Sequence, residues 1–253
     1  MIDEIIHGDC LDVMPSIPDK SIDMILCDLP YGTTACKWDT IIPFELLWEQ
    51  YERIIKDNGA IVLTASQPFT SLLVFSNLRL FRYEWVWDKV AVANPMLAKV
   101  MPLKTHENIC VFYKNKPSYN PIMTEGVMWN RAGSAGHLAF TGKAPNKGKA
   151  KSDSNTSRYP KTIIKFSNAN RTQANHPTQK PVPLFEYLIR TYTNEGETVL
   201  DNCIGSGTTA IAAYNTNRHY IGIEKEEKYV NIARERIRKH TQQMSIERLL
   251  QEV

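Results

Sequence analysis

A chain of 253 residues with 43% hydrophobic and 23% charged residues buries a full core as one large domain, or as one domain with a sizeable insertion, which excludes a disordered or fibrous protein. No apolar run approaches the roughly 18 residues needed to cross a bilayer, and the start "MIDEIIHGDC" has no basic region followed by an apolar one, so a cytoplasmic protein with no membrane partner is expected. The net charge of +3 is unevenly placed: residues 114–180 carry 12 Lys or Arg against 2 Asp or Glu, a net +10, and the remaining chain carries 18 against 25, a net −7.

In chain order, apolar strands are expected at Ile22 to Cys27, Ala60 to Thr64, Tyr83 to Trp87 and Asn108 to Tyr113. Helical periodicity separates the first three. "PFELLWEQYERIIKD" puts Phe44, Leu47, Tyr51, Ile54 and Ile55 on one face, with a proline suited to a first turn and "NG" after its end. "QPFTSLLVFSNL" reads as a shorter helix. After the basic segment, "PVPLFEYLIRTYT" reads as a helix and "TVLD" as a strand; "GSGTTAIAAYNTN" turns into a helix, "HYIGIE" is a strand, and "EEKYVNIARERIRKH" is a long amphipathic helix. Strands alternating with helices predict an α/β fold, a doubly wound, mostly parallel sheet with a basic insertion. The five cysteines (Cys10, Cys27, Cys36, Cys110, Cys203) are scattered, odd in number and without a C-x-x-C pair, so they read as reduced packing residues, with neither a metal site nor a disulfide framework.

The Gly, Ser, Asn and Lys content of "TGKAPNKGKAKSDSNTS" fits a solvated linker. Trp129, Phe140, Tyr159 and Phe166 lie among the cations of the wider segment, and bases and phosphates are natural targets for that mixture. Lys143, Lys147, Lys149 and Lys151 are the candidate phosphate contacts.

Ligands of doubly wound sheets bind beyond the carboxyl ends of the strands. Two strand ends carry unusual chemistry, "DLPYG" and "LDNCIGSGTTA". In the second, Gly205 and Gly207 permit a tight turn and a close approach, Thr208 and Thr209 open a helix whose free N–H groups face the ligand, and Glu224, 19 residues after Gly205, can accept from both hydroxyls of a ribose. A P-loop is disfavoured because "GSGTT" has no lysine. A dinucleotide fits G-x-G-x-x-A through Gly205, Gly207 and Ala210, S-adenosylmethionine offers a ribose without a pyrophosphate, and a plain strand-to-helix turn needs no ligand. The glycine turn does not choose among these.

"DLPY" supplies a reaction for an adenosine ligand. An exocyclic base amine is a poor nucleophile because its lone pair is delocalised. If Asp28 accepts one N–H and the Leu29 carbonyl the other, the nitrogen is favoured in a pyramidal form with its lone pair outward. Pro30 disfavours helical backbone at Leu29 and fixes the chain after it, and Tyr31 offers a ring for the base.

These residues resemble the amino-group DNA methyltransferases, with their [D/N/S]-P-P-Y catalytic motif and D-P-F-x-G-S-G-T-T cofactor motif. "DLPY" upstream and "DNCIGSGTT" downstream look like the permuted beta arrangement. The resemblance implies S-adenosylmethionine as cofactor, bound by Asp9 of "HGD" near its adenine, Lys180 of "HPTQKP" and Asp201 near its methionine part, the turn Gly205, Ser206, Gly207, Thr208 and Thr209, and Glu224 on its ribose. Asp28, Leu29, Pro30 and Tyr31 would be the catalytic clamp. Leu29 stands where the family has proline, and Asn202 and Cys203 where it has Pro and Phe, so a ring that packs against the cofactor is missing.

The resulting expectation is a site-specific transferase methylating adenine N6 of double-stranded DNA by base flipping, with cytosine N4 as the alternative; the leading Asp favours adenine. Residues 1–113 and 176–253 would form the two halves of the α/β domain and 114–175 the target-recognition insertion. A homodimer and a cognate restriction endonuclease are further implied partners. Rival readings are a methyltransferase of RNA or of a protein release factor, a non-catalytic DNA-binding subunit, and a nucleotide-dependent oxidoreductase, against which the absence of a Tyr-x-x-x-Lys pair counts. Single features keep plainer explanations: Asp9 can cap the helix at "CLDVM", His106 and Glu107 can simply begin a strand, His176 can be a loop residue, Lys180 a solvated cation, and Trp38, Trp85 and Trp87 packing residues.

Overall fold

Period-two burial builds the centre of the sheet. In strand β2 (Ile22–Cys27), Met24 and Leu26 join one buried cluster while Ile25 and Cys27 join another, because successive strand residues point to opposite faces. The same alternation runs through β3 (Ile55–Ala65), where Ala60 and Val62 pack on one side and Ile61 and Leu63 on the other. Helices α4 (Val182–Tyr192), α5 (Thr208–Asn215) and α6 (Glu227–Gln251) contribute to the first cluster. Helices α1 (Cys10–Val13), α2 (Phe44–Ile54) and α3 (Phe69–Ser76) contribute to the second. The sheet is therefore covered on both faces, as a doubly wound α/β fold requires.

The computed structural model describes residues 2–34, 39–126, 156–168 and 179–251. The other strands are β1 (Glu4–His7), β4 (Phe81–Asp88), β5 (His106–Phe112), β6 (Thr124–Glu125), β7 (Ser157–Arg158), β8 (Ile163–Lys165), β9 (Thr198–Asp201) and β10 (His219–Glu224). Among the described residues the main sheet has the order β1-β10-β9-β2-β3-β5-β4-β8. All neighbours are parallel except β5, which is antiparallel to both β3 and β4. The chain leaves β2 toward β3 on one side and β9 toward β10 on the other, so the order reverses between β2 and β9. Asp28 and Asp201 lie at the ends of those two strands. The sheet and its helices belong to a compact unit of residues 1–120 and 162–253; residues 121–161 form a second unit, in which β6 pairs with β7.

The expected strands and helices are present, with shifted ends. The helical pattern predicted through Ile55 and Asp57 stops at Ile54, because Ile55 is already extended and pairs with Ile22. "NG" therefore lies inside an irregular stretch of β3, where a Cβ at Gly59 would stand 2.8 Å from the Asp23 carbonyl. Strands β1 and β8 were not expected: β1 is short and half-exposed, and β8 has one buried residue, Ile164. Trp85 and Trp87 are packing residues, their indole N–H groups donating to the Tyr192 hydroxyl (2.7 Å) and the Phe166 carbonyl (2.8 Å). Cys10, Cys27, Cys110 and Cys203 are free thiols. Among the described residues no helix is long and apolar enough to cross a membrane. Cys36, Trp38, Trp129, Phe140, Lys143, Lys147, Lys149, Lys151 and His176 lie outside the described residues.

Candidate active site

At the carboxyl edge of the sheet a cleft of about 680 Å³ is lined by Asp9, Asp28, Leu29, Pro30, Tyr31, Lys180, Asp201, Gly205, Ser206, Thr208, Thr209 and Glu224. It gathers five places separated in sequence: residues 9, 28–31, 180, 201–209 and 224. Gly207 is the one described candidate that does not line it. Its φ of 85° sets the turn into α5, and a Cβ there would press within 3.1 Å of Ala233.

The parallel register Cys27↔Leu63 brings Asp28 level with Thr64. One oxygen of Asp28, Oδ1, accepts from the hydroxyls of Tyr31 (2.8 Å) and Thr64; the other, Oδ2, lies 2.8 Å from the Lys180 ammonium. The Leu29 side chain is buried in the core and anchors the motif. The Tyr31 ring stacks on Phe69, centroids 5.0 Å apart, and Lys180 Nζ stands 5.6 Å from its centre. Asp39 fixes the loop that follows, accepting from the backbone N–H groups of Gly32, Thr33 and Thr34 at 2.7–2.9 Å. Burial opposes the Asp39 charge, yet these donors and the Thr34 side chain hold its pKa below the ordinary carboxylate value.

Lys180 is no solvated cation. It is 9% exposed and also lies 3.4 Å from Glu107 Oε2, while Glu107 Oε1 meets Lys89 at 2.9 Å. Burial works against the Lys180 charge, but Asp28 and Glu107 outweigh it and raise its pKa above the ordinary lysine value. Burial likewise opposes the charge on Glu107, and Lys180 and Lys89 bring its pKa below the usual range. Two carboxylates and two ammonium groups thus form a compact network with no formal net charge.

On the other side of the switch point, Asp201 accepts from the Thr209 hydroxyl and, at 3.1 Å, from the Cys203 N–H. Burial dominates those bonds and pushes its pKa up to about 6. Glu224 accepts from the N–H groups of Gly205 and Glu226, both at 2.9 Å, and burial raises its pKa. Each carboxylate oxygen can accept a further bond. Asp9 does cap α1, accepting from Leu11 N–H at 3.0 Å, and it also meets Lys225 at 3.0 Å while lining the cleft. From α6, Arg236 braces the glycine turn by donating to the Ser206 carbonyl at 3.0 Å. Asn202, in place of the expected proline, accepts from the buried Tyr51 hydroxyl at 2.6 Å.

The profile of the DNA methylase family matches residues 22–235. The chain belongs to this family. It is an amino-group DNA methyltransferase, of the kind that modifies adenine N6 or cytosine N4. The chain is 30% identical to the DNA adenine methyltransferase YhdJ of Escherichia coli (strain K12), over 92% of this chain and 82% of that protein. It is 28% identical to the type II methyltransferase M.BglII of Bacillus subtilis, over 92% and 68%. Among solved structures, the M1.HpyAVI–SAM complex superimposes with a TM-score of 0.63 at 24% identity, covering 92% of this chain and 98% of that one. The PvuII DNA methyltransferase (cytosine-N4-specific) superimposes with a TM-score of 0.65 at 15% identity, covering 91% and 84%. Both have the fold of this methyltransferase.

Three residues of the methyltransferase's cleft network were missed in the sequence. Thr64 carries no local signal beyond ending a strand, and Lys89 none beyond following one. Glu107 starts a strand, and only the antiparallel pairing of β5 with β3, with Asn108 opposite Ala65, brings it level with Asp28.

The Asn202 substitution generates a stability test. Tyr51→Phe keeps the ring but leaves the Asn202 side-chain oxygen without its buried donor, which costs about 1–3 kcal/mol. Urea unfolding is expected to show that loss as a lower midpoint with an unchanged slope.

Proposed function

We propose that this methyltransferase transfers a methyl group from S-adenosylmethionine to the N6 amine of a flipped adenine in double-stranded DNA. The observation that carries the reading is the placement of Asp28 and Asp201 on either side of the strand-order reversal, facing one cleft. The donor set fits the cofactor: Glu224 has acceptor capacity for a ribose, Asp201 is a buried carboxylate suited to an ammonium, Asp9 reaches the same cleft, and the Gly205–Gly207 turn opens α5 toward it. S-adenosylmethionine, when bound, supplies an electrophilic methyl group on sulfur.

The chain's own residues prepare the amine. Asp28 accepts one N–H, the Leu29 carbonyl, set by Pro30, accepts the other, and the nitrogen lone pair is left free for attack. Tyr31 holds the base plane, its own hydroxyl fixed by Asp28 and Thr64. Gly205, Ser206, Gly207, Thr208 and Thr209 shape the cofactor end, and Lys180 lies between the clamp and the cofactor side. Residues 114–175, with Lys143, Lys147, Lys149 and Lys151, hold the DNA backbone and read the target, while residues 1–113 and 176–253 build the catalytic domain. Asp at the head of the motif, and the name of the adenine methyltransferase relative, favour adenine over cytosine. A cytosolic location, a homodimer and pairing with a restriction endonuclease complete the proposal.

Nucleoside analysis of DNA incubated with the protein and labelled donor is expected to give N6-methyladenine. N4-methylcytosine alone would overturn the base and keep the chemistry. Asp28→Ala is expected to lower the rate by about a hundredfold or more with donor affinity nearly unchanged; wild-type turnover would remove Asp28 from the mechanism.

The pKa of Asp201, about 6 without ligand, gives a pH test. A cationic amino group requires Asp201 ionised, so protonation competes with binding and affinity falls as pH drops through that value. Calorimetry with S-adenosylmethionine is expected to show binding about tenfold weaker at pH 5 than at pH 8, with Asp201→Asn weaker throughout and flatter in pH.

A further inference from the structure

The clamp as it stands is already engaged. Oδ1 of Asp28 already accepts two hydroxyls, and Oδ2, the oxygen left for an incoming amine, faces the Lys180 ammonium at 2.8 Å. Ammonium and exocyclic amine are both donors, and the ammonium takes one of that oxygen's two acceptor positions and offsets its charge, so the amine meets a weakened acceptor. Lys180 is too buried to retreat into water. One acceptor near it has capacity to spare: Oε2 of Glu107 is buried, has no hydrogen-bond partner among the described residues, and lies 3.4 Å from Lys180 Nζ. The opposite oxygen of Glu107 is held at 2.9 Å by Lys89, which is itself 4% exposed, so the carboxylate is fixed in place.

We propose that Glu107 is a positioning residue which takes over the Lys180 ammonium when the target amine enters, releasing Oδ2 of Asp28 to accept the amine N–H. The inference rests on the clamp role given to Asp28 above. No proton is transferred and no charge is created: the two carboxylates and two ammonium groups keep their charges, and one ion pair shortens as another lengthens. A buried carboxylate oxygen that faces an ammonium without a hydrogen bond carries a desolvation cost, and a role in the loaded state accounts for its retention in the free one.

A neutral residue at 107 would leave Lys180 with Asp28 as its one close carboxylate among the described residues. Among the described residues, the charged and titratable groups around Lys180 are Asp28 and Tyr31 from the segment after β2, Glu107 from β5 and Lys89 from the end of β4; Asp201 and Lys104 line the same cleft. Removing the Glu107 charge therefore ties Lys180 to Asp28 and, because burial is then less opposed, lowers the pH at which Lys180 loses its proton. Neutral Lys180 has no ionic claim on Asp28.

The test compares single-turnover methylation of duplex DNA at saturating donor by the wild type, Glu107→Gln, Glu107→Asp and the double variant Glu107→Gln/Lys180→Met. Glu107→Gln is expected to slow transfer by roughly tenfold or more at neutral pH with unchanged affinity for DNA and donor. Its rate should climb as pH rises toward the lowered titration of Lys180, a rise absent from the wild type over the same range. Glu107→Asp should recover part of the rate, and the double variant should exceed Glu107→Gln at neutral pH because the stranded cation is gone. A wild-type rate for Glu107→Gln, or a loss equal at every pH and not relieved by Lys180→Met, would overturn the inference while leaving the clamp intact. An inactive wild type would instead overturn the clamp reading itself.

Discussion

A buried ammonium held between two carboxylates organises this cleft. Lys180 reaches it from the segment before α4, Asp28 from the end of β2 and Glu107 from the start of β5, so the ion pairs join parts of the chain that the sheet alone brings to one edge. Truncating one member of a buried pair leaves an uncompensated charge, at a cost of about 3–5 kcal/mol. That cost binds the segment carrying Lys180 to the strand carrying Asp28.

The cofactor side is built on a different principle. There the carboxylates are held by backbone and hydroxyl donors: Asp201 by Thr209 and Cys203, Glu224 by Gly205 and Glu226. Among the described residues no close cation neutralises either group, and burial raises both pKa values. Such acids are prepared for ligands that bring positive charge or donor hydroxyls. The clamp side brings its own cation, and the cofactor side awaits one. Asn202 belongs to the same scaffold, since its bond to Tyr51 ties the turn after β9 to α2 beneath the sheet.

Much of this was legible in the sequence, for a physical reason. Motifs such as "DLPY" and "GSGTT" follow apolar strands, and a strand end in a parallel sheet already specifies which edge the residue occupies. Asp28, Asp201 and Glu224 could therefore be brought to one site from local patterns. Glu107 could not, because its strand runs the other way and its beginning, not its end, meets the cleft; "THENIC" reads as an ordinary strand start until the register with β3 is known. The Ile54–Ile55 boundary was misjudged for a related reason: helical spacing continues through Ile55, and pairing with Ile22 decides the matter. Lys180 was legible as a site residue through "HPTQKP", but its partners depend on tertiary placement.

Lys180 is charged between Asp28 and Glu107, and the titration of its own side chain reports that state most directly. Carbon-13 NMR of the Lys180 Cε, assigned by comparison with Lys180→Met, should show the ammonium persisting above the ordinary lysine pKa of 10.5 in the ligand-free protein and titrating lower in Asp28→Asn. A Lys180 that titrates at or below the ordinary value in the wild type, unaffected by Asp28→Asn, would contradict the ion-paired cleft.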